Sequence, residues 1–193
     1  AGTSAVESKQ LNFTSDSVTL TDGEYYLDGI DAESGEEIVL ETGTSDEIEI
    51  AVENSVQLDD AKISVQGNGT VRFYVGDDIQ IKDGSNVTVP EQRSTGLWVY
   101  GDPGDSSITI EGDNSDDTRF VGVIYVPSND DGDVSIKHAE VYGAVAGGDM
   151  DIQNGATVHY DSALQARNPL PPDASPLRIT YLHVSTTKIE VTD

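Results

Sequence analysis

Residues 48–89 read IEIAVENSVQLDDAKISVQGNGTVRFYVGDDIQIKDGSNVTV. Paired apolar residues recur through this stretch: Ile48/Ile50, Val56/Leu58, Ile63/Val65, Val71/Phe73, Ile79/Ile81 and Val87/Val89. Their first members lie 8, 7, 8, 8 and 8 residues apart. Each pair is a single alternation, so both side chains leave the same face of a short strand. The Gly, Asn, Asp and Ser residues between the pairs are those that turn a chain. A chain that turns at this beat and buries the same side each time winds around a core. The pattern is that of a β-solenoid or a tightly meandering β-sandwich, and the solenoid is the expected fold.

Outward from this stretch the pattern loosens. Residues 1–24 form a lead-in segment, with Val18-Thr19-Leu20 as a first strand before the turn Asp22-Gly23. The solenoid domain is expected over 25–161. Residues 90–95 break the beat, and Leu97-Trp98-Val99-Tyr100 restarts it. The run Phe120-Val-Gly-Val-Ile-Tyr-Val126 is apolar in both phases, which predicts a central strand buried on both faces. Residues 162–177 form a connector, opening with one helical turn over 162–167 and holding four of the chain's seven prolines. Proline lacks an N–H and fixes φ, so this piece is extended and semi-rigid. Residues 178–193 then read as a C-terminal strand. Ile63, Val65, Phe73, Ile79, Ile81, Ile110, Val123, Ile136, Ile152 and Val158 are the expected inward-facing core.

Composition narrows the function. The 193 residues hold 36 acidic and 10 basic side chains, a net charge of −26. Disorder would fit that charge but not the regular strand pattern. A cation-binding or base-binding patch would be clustered, whereas these acids are scattered through every turn. Life in molar salt fits the scatter, because ions screen the self-repulsion to within about 3 Å. Nucleic acid is excluded as a partner: a surface of this sign repels phosphates and has no basic stripe. No segment approaches the roughly 18 apolar residues that span a bilayer. No signal peptide is visible, so a secretion signal or anchor would lie before Ala1. With no cysteine, disulfides and thiolate chemistry are absent.

No constellation of catalytic residues emerges, and none is assigned, nor any cofactor-binding residue. His138, His159 and His183 lack zinc spacing, and no G-x-S-x-G elbow occurs. Paired carboxylates are too abundant to mark a glycosidase. Calcium is the one cofactor that the sequence suggests, with Asp113, Asp117, Asp130, Asp131 and Asp133 offering oxygen ligands in loops that otherwise read as solvated turns. Asn12, Asn68 and Asn86 open N-x-[ST] sequons and are glycosylation candidates. Tyr100, Tyr125, Tyr142 and Tyr160 follow apolar strand positions. They form a ladder between rungs or line a surface groove, and the ladder is the expectation.

The segments Gly122-Val-Ile-Tyr-Val-Pro127, Val134-Ser-Ile136, Val141-Tyr-Gly-Ala-Val-Ala146 and Gly155-Ala-Thr-Val-His-Tyr-Asp161 are distinctive. They resemble the β-helical domain of haloarchaeal secreted and pilin-like cell-surface proteins. The likeness is strongest over 120–161 and weaker over 178–191. It implies a right-handed parallel β-helix at the cell surface and carries no enzymatic activity with it. Pilin-like members have an apolar N-terminal helix, which this sequence lacks.

The expectation is therefore an extracellular structural protein of a halophilic archaeon, a subunit of a surface filament or pilus-like assembly. Self-association would run through a terminal strand, with Ile179, Tyr181 and Ile189 setting the register. A monomeric adhesin or binding module is the alternative. A β-helix enzyme acting on polysaccharide comes behind both.

Overall fold

The computed structural model describes residues 11, 16–44, 46–102, 106–113, 118–126 and 134–167. Their strands pair only in parallel and stack into a β-solenoid of about five turns. The first turn holds β1 (Ser17–Thr21), β2 (Gly23–Leu27) and β3 (Ile30–Ala32). The second holds β4 (Glu37–Glu41), β5 (Glu47–Val52) and β6 (Val56–Asp59), and the third β7 (Lys62–Gln66), β8 (Thr70–Val75) and β9 (Ile79–Lys82). The fourth holds β10 (Asn86–Thr88), β11 (Leu97–Gly101) and β12 (Ile108–Glu111). β13 (Thr118–Tyr125), β14 (Val134–Lys137), β15 (Ala139–Ala146), β16 (Met150–Gln153) and β17 (Thr157–Tyr160) complete the winding. Residues 17–24 thus already belong to the first turn.

Three beats of the sequence make one turn. Ile50 pairs with Phe73, Val56 with Ile79 and Ile63 with Val87, so the partner of each apolar pair lies three pairs further along. Inward residues therefore stack in columns at the strand spacing of about 4.8 Å. Ile38, Leu40, Ile48, Ile50, Ile108, Ile110, Ile136 and Val141 are fully buried in these columns. Each such side chain contributes roughly 1.5–3 kcal/mol of burial. A narrow core filled by branched aliphatics explains why so few aromatics suffice. At the N-terminal end Leu11 packs against the core.

The cross-section changes along the axis. β10 and β11 are separate strands, yet both lie beside β13: Val87 pairs with Phe120, and Val99 with Ile124. One long strand thus covers two sides, and β15 repeats it. The corner falls at Gly122 and Gly143, which pair with each other. Gly143 has φ +137°, and a Cβ there would collide with the Gly122 carbonyl oxygen; only glycine suits this corner. In the fourth turn residues 89–96 occupy the same corner as two short 3-10 turns, Pro90–Gln92 and Ser94–Gly96.

Most of the expected core faces inward, with three corrections. Val123 is buried but points outward, in register with Trp98. Ile152 and Val158 have the inward phase but are 47% and 38% exposed, because no further coil covers them among the described residues. The C-terminal strand expected over 178–193, and the connector beyond Arg167, lie outside the described residues. Among the described residues no helix is long and apolar enough to cross a membrane.

Candidate functional site

Two surfaces stand out, and the first is the C-terminal end of the solenoid. Met150 and Ile152 of β16 lie opposite Val134 and Ile136, and Val158 of β17 lies opposite Val141. Val134, Ile136 and Val141 are fully buried, whereas Met150 is 44% exposed and the neighbouring Tyr160 59%. Among the described residues these four side chains are the floor of a core that continues no further. Among the described residues β16 and β17 each pair on one side only. Their other edges present backbone N–H and C=O groups as a template for a further strand.

The second surface is an aromatic flank on the outside of β8, β11 and β13. Tyr74, Tyr100 and Tyr125 occupy one register column. Tyr74 stacks on Tyr100 at 5.3 Å, Trp98 on Tyr100 at 6.3 Å, and Tyr125 meets Tyr100 edge-on at 6.4 Å. Burial pushes the Tyr100 phenol above its ordinary pKa, against the pull of Arg72. The chain leaving β17 folds back over this flank as a 3-10 turn, Ser162–Ala166, and its Leu164 is buried against Trp98, Tyr100 and Val123. Asp161 caps the turn by accepting from the Ala163 N–H at 2.9 Å, and accepts from the Ser94 hydroxyl at 2.6 Å. Ser94 is fully buried in the 89–96 corner, so the last turn is latched to the fourth coil.

Trp98 is the chain's sole tryptophan and lies beneath this latch. Leu164→Ala should weaken the docking by about 2 kcal/mol and red-shift Trp98 emission while leaving the far-ultraviolet β signal intact. The Ser94 hydroxyl, seconded by the Ala163 amide, holds the Asp161 carboxyl below its ordinary range. Its contribution is then complete above roughly pH 4 and lost as pH falls through the lowered folded value. In Asp161→Asn this component of the acid-side emission change should vanish. Unchanged emission in both variants would show that the turn does not shield Trp98.

A family model described as a domain of unknown function (DUF7305) matches residues 1–167. The chain belongs to that family. The DUF7305 match takes in all the solenoid strands and the latch, and ends with Arg167. No curated protein and no solved structure matches the chain.

The residues singled out in the sequence scatter over this DUF7305 domain. The tyrosine ladder exists, but as Tyr74, Tyr100 and Tyr125. Tyr142 stands outside it, stacked on His159 at 4.5 Å with the Arg119 guanidinium 4.3 Å from its ring centre. Tyr160 stands outside it too, at the open end. Asn68 is exposed at the corner between β7 and β8. The Asn86 amide donates to the Gly84 carbonyl at 2.6 Å. Asp113 follows β12, and among the described residues no group of three His, Asp or Glu side chains could hold a metal ion. Asn12, Asp117, Asp130, Asp131, Asp133, Ile179, Tyr181, His183 and Ile189 lie outside the described residues. The sequence reading missed Ser94 and Leu164. Trp98 carried a usable signal, since Leu97-Trp98-Val99-Tyr100 is apolar in both phases and so marks a strand covered on both faces.

Proposed function

We propose that this DUF7305 protein is an extracellular structural subunit of a halophilic archaeon, assembled into a surface filament partly by exchange of a strand. One observation carries the reading: among the described residues the solenoid ends on an exposed apolar rung with unpaired strand edges. A solenoid's ends must be capped or used, and a used end propagates. The acidic surface and the likeness of 120–161 to haloarchaeal cell-surface domains support the setting, and there Asn68 is the better exposed of the two described sequons. Against an enzyme on polysaccharide, the cleft lined by Asp28, Asp31, Asn54, Ser55 and Gln57 offers neither a basic nor an aromatic side chain to a sugar.

Electron microscopy of the full chain in about 2 M KCl, a salt that leaves a Debye length of roughly 2–3 Å, tests this. Filaments are the expected result. Single particles at high concentration would replace the filament with a monomeric surface module that binds through its loops.

A further inference from the structure

Beyond the assembly reading, on which this step rests, we infer that the open rung of β16 and β17 is the acceptor site for residues 178–191 of a second copy of the chain. The floor is made of two apolar pairs, Met150/Ile152 and Val158/Tyr160, whose first members lie 8 residues apart. All four have the inward phase and all are exposed. Covering them requires an extended segment with two matching apolar pairs. The sequence has one beyond the solenoid: Ile179/Tyr181 and Ile189/Val191, with first members 10 residues apart. In parallel register Ile179 would lie over Met150 and Tyr181 over Ile152, with Ile189 over Val158 and Val191 over Tyr160. Thr180 then lies beside Asp151, and Glu190 falls beside His159, an acid next to an imidazole. Main-chain hydrogen bonds to the free edges supply the affinity, and the apolar pairs supply the register.

The donor is a second copy because of how the chain leaves β17. From β14 the chain enters β15 across a single residue, His138, staying within the winding. After β17 it departs: Asp161 and Leu164 pin it to the outer flank, against coils below the open end. Residues 168–177 can span at most about 35 Å, against roughly 24 Å for five coils at the strand spacing, enough to run back along the flank to the open rung of the neighbour on which this subunit is stacked. Each subunit then completes the next one's core, a heterologous contact that builds a line of subunits.

The chain has no cysteine, so introduced thiols report without interference. Asp151 and Gln153 are exposed with outward phase, and neighbouring strands bring Cα atoms within disulfide range. Full-length Asp151→Cys is mixed with full-length Thr180→Cys under mild oxidation, and Gln153→Cys replaces Asp151→Cys in a parallel mixture to catch a two-residue slip. The expected result is a disulfide-linked heterodimer in one mixture that neither variant forms alone. Filaments without a cross-link would overturn this acceptor site and leave the proposed assembly standing. Monomers without a cross-link would overturn both. A bridge closing within one chain of the Asp151→Cys/Thr180→Cys double variant, without the heterodimer, would show that each chain caps itself. Asp151→Cys dimerising alone would show that open ends meet each other instead.

Discussion

Between about 0.1 M and about 2 M KCl the melting temperature should rise by on the order of 10 °C. The solenoid sets the size of this effect. Parallel in-register stacking places outward side chains of successive turns about 4.8 Å apart. Glu24 therefore lies beside Glu49. Asp46 lies against Asp22, whose hydrogen bond and charge push the Asp46 carboxyl above its ordinary range. The bases within the strands already have acid neighbours. Lys62 lies beside Glu37, Lys82 between Asp59 and Glu111, Lys137 beside Glu111, and Arg119 beside Glu140. Arg72 is paired with Glu47 and lies 3.8 Å from Glu49. With a net charge of −26, most of the acids have no base to meet. Two like charges at strand spacing repel by about 0.9 kcal/mol in water. The Debye length is about 10 Å at 0.1 M, two coils deep, and falls below the strand spacing in molar salt. A handful of relieved pairs amounts to a few kcal/mol, and each kcal/mol moves Tm by about 2–4 °C in a chain of this size. Thermal melts followed by circular dichroism would read this directly. A flat profile would remove the halophilic setting from the proposed function.

The alternation in 48–89 was legible because burial acts on each strand separately, and a two-residue period survives any arrangement of the strands. The closure into three sides was not legible. A beat of 8 says where the chain turns, not through what angle. Val123 was misplaced because the run from Phe120 to Val126 is apolar in both phases, so hydrophobicity could not choose between them; pairing with Trp98 decides it. Ile152 and Val158 show the converse. Their phase was right, but alternation reports a face and is silent on whether another coil lies above it. The latch was legible only in part: residues 162–167 read as one helical turn, but Ser94 and Asp161 are 67 residues apart and their hydrogen bond exists only once four coils have formed.

Phe73→Ala and Ile136→Ala should each cost about 2–5 kcal/mol, while Ile152→Ala in the dilute protein should cost under about 1 kcal/mol. All three were read from the sequence as core, and the difference comes from what covers them. Phe73 is 3% exposed between Ile50 and Val99 in its column, and Ile136 is fully buried between Ile110 and Ile152. Truncation there leaves a void bounded above and below by other rungs, with few neighbours free to collapse into it. Among the described residues Ile152 has a coil on one side only, so its truncation removes contacts without enclosing a cavity. Urea titrations with an unchanged m-value would measure these costs. Equal losses at all three positions would mean that the terminal rung is covered even in the single molecule, and the open end would lose its standing as an assembly surface. If the rung is covered only by a neighbour's strand, the cost of Ile152→Ala should grow with protein concentration. The variant would then weaken both the rung and the contact that stabilises it by mass action. Phe73→Ala, buried in the third coil, should show no such dependence.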